Sequence, residues 1–113
     1  MDMAEKSLEL KGKAARLKEM VEYQKGSVVS RTVIDKKSGT VTLFAFDEGE
    51  GLSEHTAPYD AMVIDLEGSV EVRISGTGNR LGEGDVIIMP ANKPHALKAL
   101  TRFKMMLVMI KAA

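Results

Sequence analysis

The sequence predicts an all-β protein, an antiparallel sandwich or barrel that follows a short N-terminal arm. Seven or so β-forming runs follow residue 28, and turn residues separate them at intervals of about 8 to 12 residues. Little after the arm favours helix. A chain of 113 residues is large enough to fold as one domain of this kind. We therefore predict an arm over residues 1–27 and a β-barrel over residues 28–113.

The arm is rich in Lys, Glu, Ala, Leu and Met over residues 1–25. These residues favour helix, but Gly12 interrupts them and their apolar spacing is irregular. We expect at most one short helix, near residues 14–23. The arm is expected to pack across the barrel or against a partner subunit.

The first two strands form a hairpin. VVSRTVI, from Val28, alternates apolar and polar residues, KKSG makes a turn, and TVTLFAF continues as the second strand. Gly39, which ends the turn, is free to take a positive φ. The later strand predictions are AMVIDL, VEVRI, DVIIM, HALKAL and FKMMLVMI. SGTGNRLGEG is interpreted as a hairpin turn, because it opens no helix and lacks the GK[ST] end of a phosphate-binding loop.

Aromatic residues make up only 4% of the chain, so Val, Ile, Leu and Met must supply the core volume. Five methionines lie inside apolar strand runs, which favours core packing over metal ligation by their thioethers; they are Met62, Met89, Met105, Met106 and Met109. The last strand, FKMMLVMIK, is apolar on both faces for most of its length. It is therefore predicted to be central in the fold or part of a subunit contact, and a homodimer is expected.

Charge is balanced, with 16 basic and 16 acidic residues and no block of five like charges. This argues against general electrostatic attraction to nucleic acid or to an anionic membrane. The sequence has no cysteine, which excludes disulfides, a thiol nucleophile and cysteine-type zinc sites. No apolar signal region or membrane-spanning run is present, so a cytoplasmic location is expected.

The two histidines are the main candidates for a functional site. His55 and His95 are the only histidines in the chain, and each adjoins a β-forming run. His55 shares strand parity with Ala57 and Ala61, and His95 with Leu97. If antiparallel strands bring the two histidines opposite each other, both imidazoles point into one cavity, lined by those neighbours. Neutral imidazoles bind iron, manganese, nickel, copper or zinc.

A stable metal site usually needs a third or fourth protein ligand. Asp60 has the wrong parity in a regular strand, but Pro58 often marks a β-bulge, and a bulge there would turn Asp60 inward. Two histidines and one carboxylate would then resemble non-haem iron sites. Glu54 and Tyr59 are weaker candidates, better suited to the rim or to packing. Ordinary hydrogen-bonded histidines at strand ends are the alternative interpretation.

The stretch from Gly49 to Gly68 resembles the first motif of the cupin superfamily, G(X)5HXH(X)3,4E(X)6G. Gly49, His55 and Gly68 are in register with it. Ala57 stands where the motif has its second histidine, and Ala61 stands at its acidic position.

The stretch from Gly84 to Ala99 is similar to the second cupin motif, G(X)5PXG(X)2H(X)3N. Gly84, Pro90 and His95 are in register, whereas Asn92 and Ala99 replace the motif's glycine and asparagine. The resemblance covers roughly residues 28–110. It implies a small single-domain cupin, a double-stranded β-helix or jelly-roll barrel that is open at one end and usually dimeric.

The resemblance carries over only two of the four usual metal ligands, His55 and His95. Ala57 and Ala61 enlarge the cavity and make it less polar, which suits a small organic ligand. Three functions are compatible with these residues. The first is a metal-dependent oxygenase, lyase or isomerase; the second is a metal-free sensory or binding module for a sugar-like or carboxylate ligand. The third is a metal-free, sugar epimerase-like enzyme with a histidine base and Tyr59 as acid.

Overall fold

The structure, a computed structural model, describes residues 8–112. Two antiparallel sheets form the predicted jelly-roll barrel, and the all-β prediction is confirmed. The elements are a 3₁₀ turn at Leu17–Glu19 and nine strands: β1 Val28–Lys36, β2 Gly39–Phe46, β3 Gly51–His55, β4 Tyr59–Glu67, β5 Val70–Ile74, β6 Thr77–Leu81, β7 Val86–Met89, β8 His95–Ala99 and β9 Phe103–Lys111. The larger sheet has the order β1-β2-β9-β4-β7, and the smaller has the order β3-β8-β5-β6.

The barrel core lies between the two sheets, where alternate residues of each strand point inward. All three phenylalanines of the chain lie there. The rings of Phe44 and Phe46 have centroids 5.8 Å apart, and those of Phe46 and Phe103 have centroids 5.4 Å apart. Aliphatic residues and methionines supply the rest, as the composition predicted, and include Val63, Val70, Val72, Leu81, Met89, Leu97 and Met105.

The last strand, β9, is central in the larger sheet, between β2 and β4. Its register is continuous with β2 from Phe103 to Ile110. The inner side of β9 packs in the barrel, and its outer side contributes Met106 to a second apolar cluster. One of the two predicted explanations for a strand apolar on both faces, a central position, is therefore correct.

The N-terminal arm packs on the outer face of the larger sheet. Val21 is fully buried there, in a cluster with Leu43 and Ala45. The helix predicted near residues 14–23 is absent except for the 3₁₀ turn. Packing of Val21 against the sheet takes the place of helix formation, and sheet side chains satisfy two of the arm's carbonyl groups: Arg31 donates to the carbonyl of Met20, and Lys104 donates to that of Lys18.

Tyr23 anchors the end of the arm. Its hydroxyl donates to the carboxylate of Glu67, and its ring lies 5.0 Å from the Arg102 guanidinium and 4.9 Å from the Lys104 ammonium. Burial, followed by the Glu67 hydrogen bond, raises the pKa of Tyr23 above its ordinary value. The arm is thus held by both apolar and polar contacts.

Two turn predictions need correction. The β1–β2 hairpin is present, but Gly39 is not among the glycines with positive φ; it is needed because a Cβ there would overlap the Met109 carbonyl. SGTGNRLGEG is more than a turn, since it contains strand β6. The tight turn before β6 has Ser75 at φ 49° and Gly76 at φ 83°, and two successive positive φ values are typical of a type I′ hairpin.

Within residues 8–112, no helix is long and apolar enough to cross a membrane.

Candidate histidine site in the barrel

The two histidines lie directly opposite each other on paired strands of the smaller sheet. His55 is the last residue of β3, His95 is the first residue of β8, and the two are partners in the antiparallel register. The pairing is irregular between Leu52 and His55. His95 is 3% exposed, whereas His55 is exposed at the barrel mouth. One imidazole is therefore buried and the other faces solvent.

The turn before His95 is held on both sides. Asn92 takes the left-handed conformation, with φ 65°, at the position where the cupin motif has glycine; asparagine tolerates this conformation better than most residues. The Asn92 amide donates to the Ala57 carbonyl at 2.8 Å. On the other side of the turn, the Ser75 amide donates to the Pro94 carbonyl at 2.8 Å. These bonds fix where β8 begins and so where His95 points.

The imidazoles meet through their Nε2 atoms, which are 3.2 Å apart. The rings are nearly perpendicular, with an interplanar angle of 71° and centroids 4.4 Å apart. On the far side of each ring, Nδ1 contacts a backbone carbonyl oxygen: Ser53 at 2.7 Å for His55, and Lys93 at 3.1 Å for His95. Each ring is thus oriented by the chain two residues before it.

These contacts fix the tautomers. A carbonyl oxygen only accepts hydrogen bonds, so each Nδ1 must carry the proton that it donates. In the neutral rings both Nε2 atoms are then unprotonated, and these two hydrogen-bond acceptors lie 3.2 Å apart. Such a contact is repulsive unless a cation lies between the nitrogens. A metal ion or a shared proton would satisfy both, and backbone carbonyls on Nδ1–H are the usual outer partners of metal-binding histidines.

His95 resists protonation. Burial is the main cause that lowers its pKa below the ordinary value; the nearby His55 lowers it further, and the Lys93 carbonyl opposes both. His95 is therefore neutral at pH 7, the form that binds metals.

Beside the imidazoles lies a cavity of about 240 Å³ in the barrel interior. Its walls are almost wholly apolar. The lining residues are Leu52, His55, Ala57, Ala61, Met89, His95, Leu97, Met105, Leu107 and Met109. A cavity of this size holds on the order of eight water molecules and is smaller than most pockets for drug-sized ligands.

Of the residues selected from the sequence, His55, His95, Ala57, Ala61 and Leu97 line this cavity together. Asp60 and Tyr59 are not among the lining residues. The bulge expected after Pro58 is absent, because Tyr59, Asp60 and Ala61 pair in unbroken register with successive residues of β9. Asp60 therefore keeps the parity opposite to Ala61, and its carboxylate accepts a hydrogen bond from the Ala91 amide at 2.9 Å.

Glu54 is exposed and does not line the cavity. Among residues 8–112, no group of three or more histidine, cysteine, aspartate or glutamate side chains is arranged to hold a metal ion. Any further protein ligand in the cavity must be of another kind.

Sequence reasoning missed the sulfur atoms of the cavity. Met89, Met105 and Met109 line it, whereas the sequence pattern indicated only that they belong to the core. Pairing across the larger sheet places Met89 and Met109 on either side of Ala61. Hydrophobic alternation shows that such residues point inward but not which inward residues border a cavity.

A small jelly-roll barrel with paired histidines at its open end is the class of protein that the fold and site define. The Cupin domain family model matches residues 42–111, and the chain belongs to the cupin family. A search of curated proteins gave no match.

Solved structures agree with this assignment. A conserved protein of unknown function from Streptococcus pyogenes is 36% identical with a TM-score of 0.86, over 90% of each chain. A cupin superfamily protein from Desulfitobacterium hafniense is 26% identical with a TM-score of 0.84, over 88% of this chain and 92% of its own. A cupin 2 conserved barrel domain protein from Leptotrichia buccalis is 37% identical with a TM-score of 0.81, over 83% of this chain and 46% of its own.

Proposed function

We propose that this cupin binds a transition-metal ion between His55 and His95 and a small organic ligand in the adjoining cavity. The observation that carries the proposal is the 3.2 Å separation of two Nε2 atoms whose protons are both placed on Nδ1 by backbone carbonyls. Neutral rings held in this way bring two unprotonated nitrogens close enough together to bind one ion. Two unprotonated nitrogens at this distance repel each other in the absence of a cation, and a cation bound between them removes the repulsion.

The donor set fits a metal ion. Two imidazole nitrogens about 2.1 Å from one ion and 3.2 Å from each other would subtend about 100° at it, between the octahedral and tetrahedral angles. A bound ion would polarise an oxygen of the ligand or activate a water molecule. His55 and His95 supply the neutral nitrogens, and the carbonyls of Ser53 and Lys93 keep the rings in place.

The cavity limits the ligand. A volume of about 240 Å³ and aliphatic or thioether walls suit a compact molecule with a largely apolar body. Ala57 and Ala61 leave the room, and the polar end of the ligand would face the imidazoles.

Metal titration of chelator-treated protein tests the proposal. We expect about one ion per chain and a loss of at least about tenfold in affinity in each of His55→Ala and His95→Ala. At 100 times the dissociation constant, the ion should stabilise the protein by about 2.7 kcal/mol. Asp60→Asn is the matched control, since Asp60 lies outside the cavity, and it should bind as the unmodified chain does. Retention of less than about a tenth of an equivalent after reconstitution would overturn the metal site.

The second candidate is a metal-free binding module, which the apolar walls and the lack of a carboxylate ligand in the described cavity favour. In that case a proton shared by the imidazoles would pair with a carboxylate on the ligand. Thermal-shift screening of small carboxylic acids, with and without divalent ions, separates the two functions. No observation supports the epimerase-like alternative, because Tyr59 does not line the cavity.

A homodimer is also part of the proposal. Val86 and Ile88 on the edge strand β7 are 53% and 58% exposed, and Ile110 on β9 is 55% exposed. All three alternate with the inward-facing residues of their strands, so they share the outer face that the arm leaves uncovered. A second copy is the proposed occupant, because the chain has no net charge to oppose self-association. Light scattering should show a dimer that Ile88→Lys weakens; a stable monomer would remove this part of the proposal.

A further inference from the structure

We propose that the ion held by His55 and His95 is monovalent copper, and that thioether sulfur atoms of the cavity complete its coordination. This inference rests on the proposed metal site and goes beyond it by naming the ion and its third donor. The chemistry of the cavity wall, and not the histidine pair alone, determines which ion is favoured.

The donor atoms of the cavity wall favour a soft ion. Among the cavity-lining residues that the structure describes, the side-chain heteroatoms are the imidazole nitrogens and the sulfurs of three methionines, Met89, Met105 and Met109. The other five lining side chains are leucine or alanine. An ion at the imidazoles that takes a further side-chain ligand from the cavity wall therefore takes sulfur. Soft thioether donors select Cu(I), whereas carboxylates and water suit harder cations.

Two of the sulfur-bearing residues, Met89 and Met109, flank Ala61 in the larger sheet. Ala61 on β4 is paired with Met89 of β7 on one side and with Met109 of β9 on the other. Directly paired residues on neighbouring strands have Cβ atoms about 5 Å apart, so the two methionines stand on either side of a residue that has only a methyl group. The space above Ala61 is left to their side chains, which are unbranched and have three rotatable bonds. Met89, Ala61 and Met109 line the same cavity as the two histidines.

The charge of the site also favours a monovalent ion. The described cavity wall holds no carboxylate, and both imidazoles are neutral ligands when they bind a metal, so the ion keeps its full charge. The Born cost of burial grows with the square of the charge, so a divalent ion costs about four times as much as a monovalent one. Met89 is 2% exposed and Met105 is fully buried, which places the thioether side of the cavity away from bulk solvent. These surroundings favour Cu(I) over Zn(II) or Ni(II).

The test is anaerobic titration of the metal-free protein with Cu(I), in competition with a chromophoric Cu(I) chelator, beside parallel titrations with Zn(II) and Ni(II). We expect one Cu(I) per chain, bound more tightly than either divalent ion, with sulfur scattering in the copper X-ray absorption spectrum. The triple variant Met89→Leu, Met105→Leu, Met109→Leu should lose at least about tenfold in Cu(I) affinity and lose the sulfur signal.

Met106→Leu is the matched control. Met106 lies on β9, next to Met105, but packs in the outer cluster with Leu43 and Ala45. Methionine-to-leucine changes conserve volume and usually cost less than about 1.5 kcal/mol each, and the single variant Met109→Leu serves if the triple variant does not fold. Met109→Leu should lower Cu(I) affinity, whereas Met106→Leu should not.

The outcomes separate this inference from the metal site on which it rests. Binding that depends on both histidines and on the cavity methionines supports both. Binding that depends on the histidines but is unchanged in the methionine variants, or tighter binding of Zn(II) than of Cu(I), overturns the copper inference and leaves the histidine site standing. Absence of binding by every ion tested overturns the histidine site itself.

Discussion

Asp65 is a buried carboxyl group whose replacement should stabilise the protein in a pH-dependent way. It lies on β4 at 1% exposure, and neither carboxylate oxygen has a hydrogen-bond partner among residues 8–112. Burial raises its pKa to about 6. The nearby Glu67 amide opposes the rise without reaching hydrogen-bond geometry, and the charges of Asp85 and Glu83 add to it.

The sign follows from proton linkage. Between pH 3.8 and about 6 the folded state binds more protons at Asp65 than the unfolded state does, so the free energy of unfolding falls as pH rises through this range. A difference of about 2 pKa units corresponds to about 3 kcal/mol. Asp65→Asn removes the ionisation and keeps the shape. We expect it to stabilise the protein by about 1–3 kcal/mol at pH 7.5 and to have little effect at pH 4.

Urea unfolding of the unmodified chain and the variant at pH 4, 5, 6 and 7.5 measures this difference. Asp60→Asn is the matched control, because it removes a charge from the same strand at an exposed position and should change the stability little. If the gain from Asp65→Asn does not grow between pH 4 and 7.5, or if the variant is less stable at pH 7.5, the carboxylate is satisfied in the fold and the reasoning is wrong.

Three further predictions concern the fold and the site. Gly68→Ala should lower the free energy of unfolding by about 2–4 kcal/mol, because Gly68 has φ 80° and a Cβ there would overlap a backbone carbonyl. Gly76→Ala, with φ 83° and open space around it, should lower it by only about 1–2 kcal/mol. Equal losses in chemical denaturation would contradict this. Ala61→Glu should raise Zn(II) affinity at least about tenfold by adding a carboxylate to the cavity; unchanged calorimetric titrations would show that position 61 does not reach the ion. Because the pKa of His95 is lowered, protons should displace the metal only below the range where ordinary histidine titrates, about pH 6.5; release already complete at pH 7 would contradict this.

Much of the fold could be predicted because its signals are local. The β1–β2 hairpin and the last strand, β9, follow from alternation and turn residues. Both histidine stretches, from Gly49 to Gly68 and from Gly84 to Ala99, belong to the barrel. The strand hidden in SGTGNRLGEG escaped prediction, since Thr77–Leu81 is polar and its signal resembles that of a loop. The prediction of a helix in the arm was wrong for the opposite reason. The residues of the arm favour helix, but Val21 packs against the sheet instead.

The site was harder to predict because it depends on register. His55 and His95 share parity with the residues that line the cavity, but the sequence does not show that they are direct partners across two strands. The bulge proposed at Pro58 would have brought Asp60 inward, and unbroken pairing with β9 keeps it out. The sulfur atoms were missed because the neighbours of Ala61 come from β7 and β9, which lie far from it in sequence.

The central claim is that two neutral imidazoles, each protonated on Nδ1, direct both Nε2 lone pairs at one cation. Long-range ¹H–¹⁵N spectra of the histidine rings test it most directly, and assignment is simple because the chain has only two histidines. In metal-free protein at pH 8 both rings should show the Nδ1–H form, and one equivalent of a diamagnetic ion, Zn(II) or Cu(I), should shift both Nε2 signals together. An Nε2–H form in either ring, or a shift confined to one ring, would contradict the claim.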